Sequence, residues 1–149
     1  MMIVRDRKGF SVAELLVVVA TIAILASAAL PWWLTYLPAA TVTAVAREIQ
    51  GNLNLARQLA LSTRQNICVQ VVPGGYRFLQ GGCGGAVWTG LNTDGSGTFR
   101  PSSTVALAGG SPVFTPFGNA SQTAILTVTT PSGRTLTVTV LPSGRVTIP

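Results

Sequence analysis

The 149-residue chain contains no histidine and only four aspartates and glutamates. Without an imidazole, Ser-His-Asp and Cys-His nucleophilic catalysis are excluded. Beyond residue 38 the acids are Glu48 and Asp94 alone, and nothing in their spacing brings them together. Paired-carboxylate chemistry therefore has no support, and the chain reads as a non-enzyme. Two cysteines with no histidine cannot furnish a structural zinc site. Asn92-Thr93-Asp94-Gly95-Ser96-Gly97 has the outline of a calcium loop, but one carboxylate is poor provision for an ion that takes about 6–8 oxygens. No metal and no cofactor are expected. Charge is scarce as well, at 9% of the chain, and no lysine follows Lys8.

What the chain has instead is a long apolar run. From Phe10 to Leu30 there are 21 residues, of which only Ser11, Glu14, Thr21 and Ser27 are polar. As a helix this run measures roughly 31 Å, enough to cross a bilayer core. Arg5, Arg7 and Lys8 precede it and predict an N-in, C-out orientation. A secretory signal peptide, with Ala26-Ser27-Ala28 as its cleavage site, fits the same run, and so does a plain anchor. Both leave Glu14 without a reason, since an ionisable group there costs at least about 2.5–3.5 kcal/mol.

Lys8-Gly9-Phe10-Ser11-Val12-Ala13-Glu14 followed by the apolar run resembles the class III signal of type IV pilins and type II secretion pseudopilins. The resemblance implies that a prepilin peptidase cuts between Gly9 and Phe10 and methylates Phe10. It also implies that Glu14 is the assembly carboxylate, facing the N-terminal amine of a neighbouring subunit. The expected divisions are a leader over 1–9, a transmembrane and assembly helix over 10–37, and a periplasmic or extracellular domain over 38–149. Pro31 and Pro38 are expected to kink or loosen the helix between them. Trp32, Trp33 and Tyr36 read as an interfacial aromatic belt or as filament contacts.

In the outer domain, about 110 residues that suffice for one core, a helix is expected over 41–64. Val42, Val45, Ala46, Ile49, Leu53, Ala56 and Ala60 recur at helical spacing and form the face that packs on a sheet. Gly51 costs that helix about 1 kcal/mol and is the candidate for a close approach. From 67 on the period becomes two. Ile67–Val72 and Tyr76–Leu79 form a hairpin across Pro73-Gly74-Gly75, and Thr123–Thr130, Thr135–Leu141 and Arg145–Ile148 are further strands. Pro131-Ser132-Gly133-Arg134 and Pro142-Ser143-Gly144-Arg145 are turns between them. Cys68 and Cys83, outside the cytoplasm, are expected to pair. The fold class is α+β: a long N-terminal helix whose second half packs on an antiparallel sheet.

Phe114-Thr115-Pro116-Phe117-Gly118, the strands after it and Ser143-Gly144-Arg145-Val146 resemble the H-type pseudopilin and FimT-like minor pilin domain, as does Asn54 to Asn66. The resemblance implies a minor subunit that initiates or caps a type II secretion pseudopilus. Its partners would be prepilin peptidase, other pilins or pseudopilins, and the inner membrane, crossed once. The alternative is a FimT-like minor pilin of a type IV pilus that binds DNA for natural transformation. Such pilins carry a C-terminal Gly-Arg-x-Arg motif. Gly144-Arg145-Val146-Thr147 matches its first half, with Thr147 in place of the second arginine. Arg134, on a turn of the same kind, is the candidate to compensate. The outer domain sets seven arginines against Glu48 and Asp94, a balance of +5, which suits weak phosphate binding or simple solubility. DNA is the weaker expectation.

The mature chain is expected to begin with N-methylated Phe10. Mass spectrometry of its N-terminus checks this, and a start near Ala29 would point to a secreted soluble domain.

Overall fold

The apolar stripe of the second half of the helix organises the fold. The computed structural model describes residues 11–101 and 105–149, and of 29–38 the helical backbone alone. The chain divides into two units, Met1–Leu37 and Pro38–Pro149. Helix α1 is assigned over Val12–Thr63, so Pro31 and Pro38 do not interrupt it. A proline removes one backbone donor, and the flanking turns keep the helical pattern here. Trp32, Trp33 and Tyr36 lie outside the residues whose side chains are described.

All seven stripe residues, Val42 to Ala60, are buried. Nine short strands follow among the described residues: β1 (Ile67–Val72), β2 (Gly75–Gln80), β3 (Ala86–Val87), β4 (Thr98–Phe99), β5 (Ala106–Gly109), β6 (Val113–Phe114), β7 (Ala124–Thr129), β8 (Thr135–Val140) and β9 (Val146–Thr147). They form two antiparallel sheets rather than one. The first has the order β3-β2-β1-β6, and β4 shares the outer edge of β2 with β3. Leu79 and Gln80 pair with β3, while Tyr76 and Arg77 pair with β4. The second sheet is β5-β7-β8-β9. One core unites the helix with Ile67, Val69, Tyr76, Phe78 and Phe114 of the first sheet and Leu126, Val128, Val138 and Val140 of the second.

The expected hairpin and the three later strands are present to within about a residue or two. The glycine-rich connection holds more order than its composition suggests. Phe99 stacks on Tyr76 at 5.3 Å and packs on Phe78 at 4.6 Å, and Trp88 lies 5.7 Å from Phe78. Such pairs add about 0.5–1.5 kcal/mol each beyond burial, which is how two-residue strands are held. A Cβ on Gly75 would lie 2.1 Å from Phe99 O, so only glycine lets β4 approach. Cys68 of β1 and Cys83 after β2 form a disulfide, with their Cα atoms 5.0 Å apart and 15 residues of separation. A loop of that length is worth about 3 kcal/mol in the chain-entropy model.

Three side chains on the flanks of the stripe sew the helix to its cover. Asn52 Nδ2 donates to Tyr76 Oη at 2.6 Å, Gln50 Nε2 to Val146 O at 3.1 Å, and Arg57 Nε to Gly118 O at 2.8 Å. Burial holds the Tyr76 phenol well above its usual range, so it stays a neutral hydroxyl.

Gly51 makes no close approach. A Cβ there would meet nothing within 4 Å, so the residue is a plain helix weakness. Gly51→Ala is expected to stabilise the domain by about 0.5–1 kcal/mol, read as a higher denaturant midpoint at unchanged slope.

Candidate functional site

The helix begins with a reciprocal pair. Glu14 N donates to Ser11 Oγ at 3.2 Å, and Ser11 N donates to Glu14 Oε2 at 3.1 Å. This is a capping box, in which two backbone donors that the first turn leaves orphaned are satisfied by side chains. Glu14 therefore has a local role that the sequence reading overlooked, although Ser-x-x-Glu before an apolar run is its signature. Oε1 of Glu14 takes no hydrogen bond among the described residues.

The other polar side chains of this stretch are also satisfied within the helix. Thr21 Oγ1 donates to Val18 O at 2.8 Å and Val17 O at 3.0 Å, and Ser27 Oγ donates to Ile24 O at 2.7 Å. Back-bonding of this kind hides hydroxyls from an apolar environment. What remains outside is hydrocarbon: Val12, Leu15, Leu16, Ile22, Ile24 and Leu25 are 59–76% exposed. Among the described residues no helix is long and apolar enough to cross a membrane. The side chains described there end at Ala28, while the apolar sequence runs from Phe10 to Leu30. Gly9 and Phe10, the expected processing site, lie outside the described residues.

Arg134 and Arg145 do not form one site. Arg77 Nε and Nη2 both donate to Gln70 Oε1 across the β1–β2 ladder, at 2.9 and 2.8 Å, and Arg100 pairs with Asp94 at 2.7 Å. Arg134 and Arg145 are exposed; their backbones close their turns, while their guanidinium groups make no hydrogen bond or ion pair among the described residues. They flank the six-residue β8, one on the turn before it and one on the turn after, so about 20 Å of strand separates them. Arg134 cannot replace a second arginine beside Arg145, because consecutive turns of an up-and-down sheet lie at opposite ends. Arg57 reaches the Arg145 turn: a Cβ on Gly144 would lie 3.0 Å from Arg57 Nε.

Residues 45–144 match the family described as Type II transport protein GspH. The chain belongs to the GspH family. The match runs from the buried stripe of α1 to Gly144 and ends one residue before Arg145. The fold is that of the minor pseudopilin EpsH from the Type 2 Secretion System of Vibrio cholerae. The two share a TM-score of 0.58 and 13% identity over 73% of this chain and 96% of that one. The type IV minor pilin FimU of Pseudomonas aeruginosa is also similar, with TM-score 0.52 and 16% identity over 72% of this chain and 87% of that one. No curated protein matches the chain by sequence. The H-type pseudopilin resemblance and the pilin-like α+β fold are thus both upheld.

Asn92 to Gly97 forms a hydrogen-bonded turn. Asp94 Oδ1 accepts from Ser96 N at 2.9 Å, Ser96 Oγ at 2.6 Å and Thr98 N at 2.9 Å, and Oδ2 accepts from Arg100 Nε at 2.7 Å. Both oxygens are committed to closing the turn into β4, which makes it a structural turn. These bonds, those from Ser96 and Thr98 first, hold the Asp94 carboxyl well below the usual carboxylate range. A carboxyl whose folded pKa is depressed contributes stability above its unfolded pKa of about 3.9 and loses it as pH falls toward the folded value. Asp94→Asn should therefore lower the unfolding midpoint by a constant amount between about pH 5 and 8, with the gap to wild type shrinking below about pH 4. Thermal unfolding followed by tryptophan fluorescence checks both parts.

Proposed function

We propose that this chain is a minor pseudopilin that enters a type II secretion pseudopilus through its N-terminal helix and initiates or caps the filament, without enzymatic activity. The observation that carries the proposal is the head of α1, where an all-round apolar helix opens on a carboxylate with one oxygen uncommitted. Before assembly the subunit sits in the inner membrane, crossing it once with its N-terminus inside. A prepilin peptidase removes residues 1–9 and methylates Phe10. On assembly the GspH-type domain is displayed outside while the apolar helices of neighbouring subunits bundle.

Glu14 explains the direction of that transfer. Among the described residues of the lone subunit, its charge has only the Ser11 N–H to offset desolvation. A neighbour's N-terminal ammonium supplies a full opposite charge, and Coulomb attraction is far stronger in apolar surroundings than in water. Oε1 can accept this partner while Oε2 keeps the cap. Arg134 and Arg145 lend the DNA-binding alternative little support, since they stand at opposite ends of β8 and do not form the paired motif.

Glu14→Ala should leave membrane insertion intact and lower recovery in sheared filament fractions by well over tenfold, because removing one partner of a buried ion pair costs about 3–5 kcal/mol. Ser11→Ala removes the cap and keeps the carboxylate, and should incorporate nearly normally. Equal loss in both variants would reduce Glu14 to a helix cap.

A further inference from the structure

Gly118 and Gly144 mark a place where two turns converge on the last turns of α1. A Cβ on Gly144 would lie 2.0 Å from Gly118 O, and one on Gly118 would lie 3.3 Å from both Arg57 Nε and Leu61 Cδ2. Both glycines have positive φ, 82° and 78°, where side chains are rare. Gly118 N closes its turn on Thr115 O at 2.9 Å, Gly144 N closes its own on Leu141 O at 2.8 Å, and Ala120 N donates to Pro142 O at 3.0 Å. With Arg57 Nε on Gly118 O, the two turns are locked together on the helix.

The side chains on this rigid base are left in water. Phe117, at the tip of its turn, is 85% exposed, Leu61 46% and Leu141 37%. Arg145 follows Gly144 in the second of these turns, exposed, its guanidinium without a partner among the described residues. Single exposed apolar residues are ordinary. An exposed aromatic and two arginines on one preorganised base, with two leucines adding apolar surface around them, bring together residue types enriched at protein interfaces.

We propose that Phe117, Leu61, Leu141, Arg57 and Arg145 form a docking surface for a different protein chain that presents an apolar pocket edged by carboxylates. If the assembly reading above holds, that chain is a neighbouring subunit of the filament. Charge selects the partner. A second copy brings a domain of +5, with Asp94 already bound to Arg100 and only Glu48 to offer, so like-charge contact disfavours it. Nucleic acid fits poorly too, because two leucines find no counterpart in phosphate, and a single ring is a meagre stacking platform. A pocket for Phe117 with acids at its rim satisfies every group in the set.

The test places a benzoyl-phenylalanine photo-crosslinker at position 117 of the full-length chain in cells that assemble the filament. The expected product is a crosslink to one different protein, mapped to a segment with aspartate or glutamate beside apolar residues. The same probe at Leu91, which is 89% exposed in the β3–β4 connection, should give none. Arg145→Glu should lower the 117 crosslink about tenfold or more with an unchanged unfolding midpoint, and a lysine placed at the mapped carboxylate should restore it. A crosslink to a second copy, to lipid or to DNA would overturn the proposal, as would no crosslink at all. Recovery of the unsubstituted chain in sheared filaments reports the assembly reading separately. A crosslink to an acidic partner by a chain absent from filaments would keep the surface and sink that reading.

Discussion

Everything in the GspH-type domain depends on covering one apolar stripe on the second half of α1. Val42, Val45, Ala46, Ile49, Leu53, Ala56 and Ala60 are all buried, and strands of both sheets contribute to the same core. The stripe holds small and branched residues together, which suits close packing against a twisted sheet. At its flanks, where apolar burial ends, Gln50, Asn52 and Arg57 turn to hydrogen bonds with β9, β2 and the Gly118 turn. The helix is thereby fixed in register by polar contacts that cover little area but have strict geometry.

The first sheet illustrates how short strands are retained. β3 and β4 contribute two residues each to the outer edge of β2, too few ladder bonds to persist alone. The Tyr76, Phe78, Trp88 and Phe99 rings hold them from the core side, the Cys68–Cys83 bond ties the chain after β2 to β1, and the Asp94 turn delivers Thr98 to its place. Covalent, aromatic and charged devices thus stand in for length.

The N-terminal stretch follows a different logic. Its described surface from Val12 to Leu25 is mostly hydrocarbon, with Glu14 near its start. Internal hydrogen bonds take up Ser11, Thr21 and Ser27, leaving Glu14, among the described side chains of this stretch, as the group whose needs are only half met. A helix with this pattern inserts readily into any apolar surrounding and distinguishes among surroundings only by what they offer a carboxylate.

Elements whose causes are local can be read directly from the residues. The stripe was legible because helical periodicity survives in any context, the hairpin and β7 to β9 because alternation and Pro-x-Gly turns are written in neighbouring residues, and the family because those features recur in a fixed order. The Ser11–Glu14 cap was equally legible and was missed, as was the rule that consecutive turns such as those of Arg134 and Arg145 fall at opposite ends of β8. The tertiary structure decided the rest. β3, β4 and β6 lie in glycine- and proline-rich sequence without alternation to mark them, so they exist only because a core and a neighbouring strand receive them. The division into two sheets, the open space at Gly51 and the meeting of Phe117, Leu61 and Arg145 depend on contacts between residues tens of positions apart. Such contacts follow from how volumes and hydrogen bonds close in three dimensions, which no local pattern encodes.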